Sequence, residues 1–118
     1  LSICYDIRFP EVYRRYDFGG ARIVLVVAEW PVRRIGHWKT LLLSRAIENQ
    51  MFIAACNCLG EFKEEQFGGC SAIIDPWGRY VVEGGDEESL LTAELDLDLV
   101  EETRRQFPFF KDSRRDMY

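Results

Sequence analysis

Two stretches of this chain are apolar without alternation, and both predict strands. Residues 23–28 and 51–56 mix small and β-branched side chains. Such a composition is typical of a strand covered on both faces, in a sheet layered between other elements. Residues 1–3 have the pattern of the end of another buried strand.

A hairpin is predicted around the sequence Asp75-Pro76-Trp77-Gly78. Asp at the first position, Pro at the second and Gly at the fourth are favoured in a type I turn. The flanking apolar segments, 70–74 and 79–83, are therefore expected to pair as strands.

Two further segments lie on either side of this hairpin. Residues 61–69 include four charged residues and end in Gly68-Gly69, which predicts a loop. Leu91, Ala93 and Leu95 alternate with polar residues, which predicts a half-buried strand.

The first two helices have clear start signals or a clear apolar face. Proline suits the first helical position and glycines can end a helix in the left-handed conformation, so one helix should run from about Pro10 to Phe18 and close at Gly19-Gly20. Residues 37–50 predict a second helix. Its shared face comprises Trp38, Leu41, Leu42, Arg45, Glu48 and Asn49.

A third helix is expected from Asp98 to Gln106. Asp98 stands three residues before Glu101, a spacing similar to a capping box. The sequence Phe107-Pro108-Phe109-Phe110 should stop this helix. A cluster this apolar is expected to dock on its own domain or on a partner subunit.

Composition places the chain among globular domains and narrows its partners. The 118 residues are 47% hydrophobic, enough for a core, and form one predicted domain over 1–118. The net charge of −5 disfavours nucleic acid as a partner, and no apolar run is long enough to span a membrane. Because the chain begins inside a strand, we interpret it as the C-terminal portion of a larger α/β protein.

The cysteine pattern argues against a metal site. The four cysteines stand at positions 4, 56, 58 and 70, and the only histidine is His37. Cys56-x-Cys58 lacks the spacing of a zinc knuckle, so no metal is predicted. Reduced thiols in a cytoplasmic protein fit this pattern best.

The candidate catalytic residue lies where the first predicted strand meets the first predicted helix. An abrupt turn at Cys4 can hold one side chain out of the sheet, and a cysteine in that position can be an activated nucleophile. The alternative is a buried thiol that packs as a small hydrophobic side chain.

The sequence around Cys4 resembles the nucleophile motif of the carbon–nitrogen hydrolase (nitrilase) superfamily. The matching residues are Cys4-Tyr5-Asp6-x-Arg8-Phe9-Pro10-Glu11, Trp30-Pro31, His37-Trp38, Arg45-Ala46-Ile47-Glu48-Asn49-Gln50 and Asp75-Pro76-Trp77-Gly78. Their order and spacing are similar to the omega-amidase branch. The resemblance implies an α/β fold, the C-terminal half of a four-layer αββα sandwich, and likewise a homodimer or higher homo-oligomer.

The resemblance also implies a reaction. Cys4 would attack a linear carboxamide, such as the omega-amide of a 2-oxo-dicarboxylate, and ammonia would leave behind a thioester that water hydrolyses. The Tyr5 backbone N–H would bind the oxyanion. The family's general base, a Glu, and its oxyanion-binding Lys lie upstream of the cysteine, so this chain alone is expected to be inactive. No cofactor is implied.

Other residues are assigned by position. The loop 29–36 follows a strand and should face the same crevice as Cys4, because ligands gather at the carboxyl ends of strands in open α/β sheets. Trp30, Arg33 and Arg34 are thus candidates for substrate binding, with an aromatic plug and solvated charges as the alternative. The residues expected to brace the site are Asp6, Arg8, Arg45, Glu48 and Asn49.

Two alternative functions stay open at this point. The same fold can carry nitrile or N-carbamoyl hydrolysis. A non-catalytic α/β assembly module that retains Cys4 for packing is the other possibility.

Overall fold

The computed structural model describes residues 1–114 and residue 117. The strands are β1 (Ser2–Ile3), β2 (Ile23–Ala28), β3 (Phe52–Asn57), β4 (Leu59–Phe62), β5 (Glu65–Gly68), β6 (Ala72–Ile74) and β7 (Tyr80–Glu83). The helices are α1 (Pro10–Phe18), α2 (Ile35–Asn49), α3 (Asp98–Gln106) and α4 (Phe109–Asp112). Two 3₁₀ helices occupy Cys4–Arg8 and Val32–Arg34.

A five-stranded sheet with the order β1-β2-β3-β6-β7 forms the centre of the fold. β1, β2 and β3 are parallel, whereas β6 and β7 are antiparallel to their neighbours. Parallel strands end at the same edge of a sheet, so the residues that follow β1, β2 and β3 meet there. The predicted α/β class is confirmed.

Helices α1 and α2 cover one face of this sheet. On β2, Val24 and Val26 are buried in the core, because alternate side chains of a strand point to the same face. Leu25 and Val27 point the other way and are 51% and 45% exposed. β2 was expected to be buried on both faces, but within this chain only one of its faces is buried.

The turn at Asp75 is formed as predicted. The Asp75 carboxylate accepts hydrogen bonds from the N–H groups of Trp77 (2.8 Å) and Arg79 (2.9 Å). The Gly78 N–H donates to the Asp75 carbonyl, and Gly78 has φ +77°, a left-handed conformation that glycine adopts without strain. β6 and β7 pair on either side of this turn.

Helix boundaries are close to those predicted. α1 begins at Pro10 and ends at Phe18, followed by Gly20 at φ +81°. α2 begins two residues earlier than predicted, at Ile35, and its predicted last residue, Gln50, is instead a left-handed cap at φ +46°. α3 spans the predicted residues, but the cap differs: Asp96 rather than Asp98 accepts the hydrogen bond, from the Asp98 N–H at 3.0 Å.

Two predictions are wrong. The segment predicted as a loop over 61–69 forms most of a hairpin, because β4 and β5 pair with each other. Residues 91–95 are not a strand: a strand needs a neighbour for its backbone hydrogen bonds, and none of the described strands lies alongside them.

The aromatic cluster docks on its own domain. The ring of Phe107 meets Trp77 edge-on at 5.3 Å, and the Gln50 side chain donates to the Phe107 carbonyl at 3.0 Å. The Arg14 guanidinium lies 4.7 Å from the centre of the Phe110 ring. These contacts hold the end of α3 against the turn at Asp75 and the end of α2.

Two glycines provide a matched test of the turn. We expect Gly78→Ala to lower the free energy of unfolding by about 1–2 kcal/mol, because an L-residue is strained in the left-handed region. The new Cβ would also lie 2.6 Å from two carbons of Ile47. Gly36→Ala should be neutral or stabilising by up to about 1 kcal/mol, since Gly36 is helical with open space around it. Urea unfolding of the complete protein measures both; equal effects would contradict this account.

Candidate active site

The backbone changes direction sharply at Cys4. β1 ends at Ile3, Cys4 has φ +43°, and a 3₁₀ helix continues to Arg8. Phe9 is extended and Pro10 opens α1. A non-glycine residue at positive φ costs about 1–2 kcal/mol, so the surroundings must hold this corner. The abrupt turn predicted at Cys4 is thus present.

Side chains from several elements hold the corner. The Asp6 carboxylate accepts the Ile3 N–H at 3.0 Å, which ties the turn back to the strand that enters it. From α2, Arg45 Nε donates to the Ile7 carbonyl at 2.9 Å. The Ser2 and Tyr13 hydroxyls are 2.6 Å apart in the core and join β1 to α1. Both Asp6 and Arg45 thus contact the segment that carries Cys4.

Arg45 also forms the predicted polar pair on α2. Its Nη1 lies 2.7 Å from Glu48 Oε1, and its side chain is 6% exposed whereas that of Glu48 is 33% exposed. Asn49 bonds to the Arg45 carbonyl at 2.9 Å rather than to the guanidinium. The guanidinium lies 5.5 Å from the centre of the Tyr13 ring, within cation–π range.

A cavity of about 510 Å³ opens beside Cys4, at the carboxyl ends of the three parallel strands. The Cys4 thiol donates toward the Glu29 carbonyl, with 4.0 Å between sulfur and oxygen. The residues that line the cavity are Ile3, Cys4, Val27, Ala28, Glu29, Cys56 and Cys58. The predicted crevice at this edge of the sheet is therefore present.

The chemistry of this cavity is that of thiols and one carboxylate. Burial raises the pKa of the Cys58 thiol, and the nearby Glu29 carboxylate raises that pKa further. Glu29 is the only charged residue in the lining. No group of three His, Cys, Asp or Glu side chains suited to a metal ion exists among residues 1–114 and 117.

The candidate substrate-binding residues lie outside this cavity. Trp30 is 2% exposed, packs on Trp38 with ring centres 5.6 Å apart, and donates from Nε1 to the Arg34 carbonyl. This position matches the aromatic plug that was the alternative for Trp30. Arg33 is exposed and pairs with Glu65 at 3.0 Å. Contact of Arg33 or Arg34 with a substrate stays a prediction.

The remaining motif residues surround the corner. Tyr5 is 64% exposed and meets Phe9 edge-on at 5.7 Å. The Arg8 guanidinium lies 5.5 Å from the Tyr5 ring centre and 4.8 Å from that of Trp30, so it connects the corner to the loop after β2. The oxyanion role of the Tyr5 N–H stays a prediction.

Sequence reasoning missed Asn57, which is 4% exposed at the end of β3. Its Oδ1 accepts the Trp30 N–H at 2.6 Å, and its Nδ2 donates to the carbonyls of Trp30 (3.2 Å) and Gly69 (2.8 Å). Asn57 thereby fixes the loop after β2. An amide side chain that ends an otherwise apolar strand was the available signal.

The sequence placed Glu29 only within the loop 29–36 and did not single it out. Like Asn57, it is a polar residue directly after a predicted buried strand. Because the carboxyl end of that strand is predicted to border the crevice, its charged side chain could have been named as a candidate site residue.

Comparison with known proteins agrees with the motif. Residues 1–105 match the family model described as carbon–nitrogen hydrolase. The chain is 53% identical over 116 residues to the 2-oxoglutaramate amidase of Bacillus subtilis and 43% identical over 118 residues to that of Paenarthrobacter nicotinovorans. It covers 98% and 100% of its own length in these matches, but spans only 45% and 40% of those relatives.

A solved structure gives the same result for the fold. The NitFhit protein of Caenorhabditis elegans superposes with a TM-score of 0.93 at 36% identity, covering 100% of this chain and 29% of that one.

No described helix is long and apolar enough to cross a membrane.

The Arg45–Glu48 pair can be tested by a double-mutant cycle. Removing one partner of a fully buried ion pair costs about 3–5 kcal/mol, but Glu48 is partly exposed and water can replace some of its contact, so we expect Glu48→Ala to cost about 1–3 kcal/mol. The cycle itself uses Arg45→Met, Glu48→Leu and their combination, and the double variant should cost less than the sum of those two single losses.

An exposed pair offers the control. Lys39 and Glu83 are 2.8 Å apart with side chains 42% and 37% exposed, so Glu83→Ala should cost less than about 1 kcal/mol. Thermal unfolding of each variant supplies the numbers. Strictly additive losses at Arg45 and Glu48 would show that the two side chains do not interact.

Proposed function

The chain belongs to the carbon–nitrogen hydrolase family, and on that basis we propose that it carries the nucleophile of an amidase acting on a small linear carboxamide. The observation that supports this most directly is the left-handed corner at Cys4, which faces a cavity at the carboxyl ends of three parallel strands. A cysteine retained only for packing would not need to line an open cavity, as Cys4 does. This disfavours the non-catalytic alternative.

The proposed reaction is acyl transfer through Cys4. The thiolate attacks the amide carbon, and the carbonyl oxygen of the tetrahedral intermediate accepts a hydrogen bond from the Tyr5 N–H. The carbon–nitrogen bond then breaks, the nitrogen takes up a proton, and ammonia leaves a thioester on Cys4. Water attacks the thioester and releases the carboxylic acid and the free thiol.

The general base and the cation that binds the oxyanion are proposed to lie outside this chain. Neither lysine nor arginine nor histidine is among the residues lining the Cys4 cavity. Asp6, Arg8, Arg45, Glu48 and Asn49 are assigned positioning roles. Their contacts reach the turn, the loop after β2 and one another rather than the cavity.

The names of the relatives support the substrate class. Two of them are named 2-oxoglutaramate amidase, which favours the omega-amide of a 2-oxo-dicarboxylate over a nitrile or an N-carbamoyl compound. The cavity volume of about 510 Å³ suits a small molecule. Arg33 and Arg34 would then meet the remote carboxylate beyond the cavity mouth.

Assembly and location belong to the same proposal. We infer a reducing, cytoplasmic setting, because all four cysteines are free thiols and one of them must remain reduced to react. A homodimer or higher homo-oligomer is supported by apolar side chains near the end of the chain that stay exposed beside the docked cluster, such as Phe109 at 39%.

Replacing the nucleophile tests the reaction. In the complete protein, Cys4→Ala should abolish ammonia release from 2-oxoglutaramate without lowering the melting temperature, because alanine keeps the Cβ and the thiol gives up only a 4.0 Å contact with the Glu29 carbonyl. Cys56→Ser supplies the control, since Cys56 lines the same cavity but lies on β3. If the Cys4→Ala protein keeps most of its activity, Cys4 is not the nucleophile.

The 118-residue chain made alone should release no ammonia. It is also expected to bind a dye for apolar surface, because Ile3, Leu25 and Val27 are 58%, 51% and 45% exposed on one face of the sheet. Turnover by this chain that disappears with Cys4→Ala would place a base among these residues.

A further inference from the structure

Glu29 occupies a fixed position beside the candidate nucleophile. It directly follows β2, its carbonyl oxygen is 4.0 Å from Cys4 Sγ, and it lines the Cys4 cavity. It also lines a neighbouring cavity of about 300 Å³, together with Cys58 and Glu61. Glu29 therefore stands between the two spaces.

The backbone after Glu29 is held on both sides. The Trp30 N–H and carbonyl both bond to the Asn57 side chain, at 2.6 and 3.2 Å, and Asn57 is almost fully buried. The Trp30 ring is locked between Trp38 and the Arg8 guanidinium. Because its neighbour cannot shift, the Glu29 backbone stays next to Cys4.

The Glu29 charge is not neutralised within the described part of the chain. Arg33, Lys39, Arg45 and Arg104 form ion pairs with other carboxylates, and no described cation lies within 4.0 Å of Glu29. Its field reaches the cavity, since the carboxylate raises the pKa of the Cys58 thiol, another lining group. The remaining walls near it, Val27, Ala28 and Ile3, are apolar and supply no counter-charge.

We propose that Glu29 is a specificity-determining residue that makes the Cys4 cavity favour an uncharged carboxamide over a carboxylate. An ionised carboxylate only accepts hydrogen bonds, and a carboxamide offers two N–H donors where a carboxylate offers a second negative oxygen. The same side chain thus attracts the reacting end of the substrate and repels that end of the product. This inference rests on the proposed amidase function, because Glu29 is assigned as the group that distinguishes the amide substrate from the acid product.

A consequence for turnover follows from the balance of charge. Hydrolysis of the thioester converts a neutral acyl group into a carboxylate at the Cys4 end of the cavity. Like charges at contact distance repel, so Glu29 promotes departure of the acid and limits its rebinding. Loss of the charge should strengthen product inhibition.

Alkylation of Cys4 tests the inference without relying on catalysis. Iodoacetamide and iodoacetate have nearly the same size and differ in the group that Glu29 is proposed to distinguish. In the complete protein, we measure the rate of each reagent at Cys4 by mass spectrometry of the peptide that contains it. Glu29→Gln should lower the ratio of the iodoacetamide rate to the iodoacetate rate by at least about threefold, because it removes a negative charge that repels iodoacetate.

Matched variants separate charge from shape. Glu29→Asp keeps the charge and should stay within about twofold of the wild-type ratio, since one methylene changes the distance only slightly. Glu61→Gln removes an exposed carboxylate that lines the neighbouring cavity but not that of Cys4, and should leave the ratio unchanged. An unchanged ratio in Glu29→Gln, or an equal change in Glu61→Gln, would overturn the inference.

Ammonia release by the same proteins distinguishes a failure of the proposed amidase function from a failure of the role assigned to Glu29. With wild-type turnover present, Glu29→Gln should show stronger inhibition by the acid product, and unaltered inhibition would count against Glu29. If no amide yields ammonia while the alkylation ratio changes as expected, the proposed function fails and the charge selection by Glu29 stands. If turnover is present and the ratio does not change, Glu29 alone is excluded.

Discussion

The left-handed backbone of Cys4 is the constraint on which the rest of the site depends. Its φ of +43° costs about 1–2 kcal/mol for a residue with a Cβ, and β1 has only two residues with which to resist relaxation. The corner is therefore held by neighbours: Asp6 bonds backward to Ile3, and Arg45 bonds to Ile7 from α2. With the corner fixed, the Cys4 side chain lines the cavity at the margin of the core.

This requirement explains why α2 carries an arginine on its inward face. A buried ion pair is weak evidence for stability, because desolvation offsets much of its Coulomb energy and apolar residues often do as well. An apolar residue could not donate to the Ile7 carbonyl, however. Arg45 instead links that carbonyl with Glu48 and with the Tyr13 ring, so one side chain ties α1, α2 and the corner together.

Local sequence signals predicted most of this fold, and contacts distant in sequence account for the errors. Pro10 and the Asp75 turn act through their own backbone, and both were predicted correctly. Whether residues 91–95 pair, or 61–69 fold as a hairpin, depends on which strands lie alongside, and the composition of a segment does not specify its neighbours. The cavity needed Cys4, Glu29 and Cys58 to come together through strand register. The crevice edge could be inferred from the sequence, but its full lining could not.

The electrostatics of the cavity set what the chain must receive from elsewhere. The proposed acyl transfer would develop negative charge on an oxygen near Cys4, and the one charged side chain that lines this space, Glu29, has the same sign. A carboxylate near such an oxyanion raises its energy unless a cation lies closer. Within the lining, only backbone N–H groups and the weak thiol donors of Cys56 and Cys58 could oppose this effect. The charge that we propose to favour an amide over an acid would therefore make an additional cation necessary for turnover, and selection and catalysis would be supplied by different parts of the complete active site.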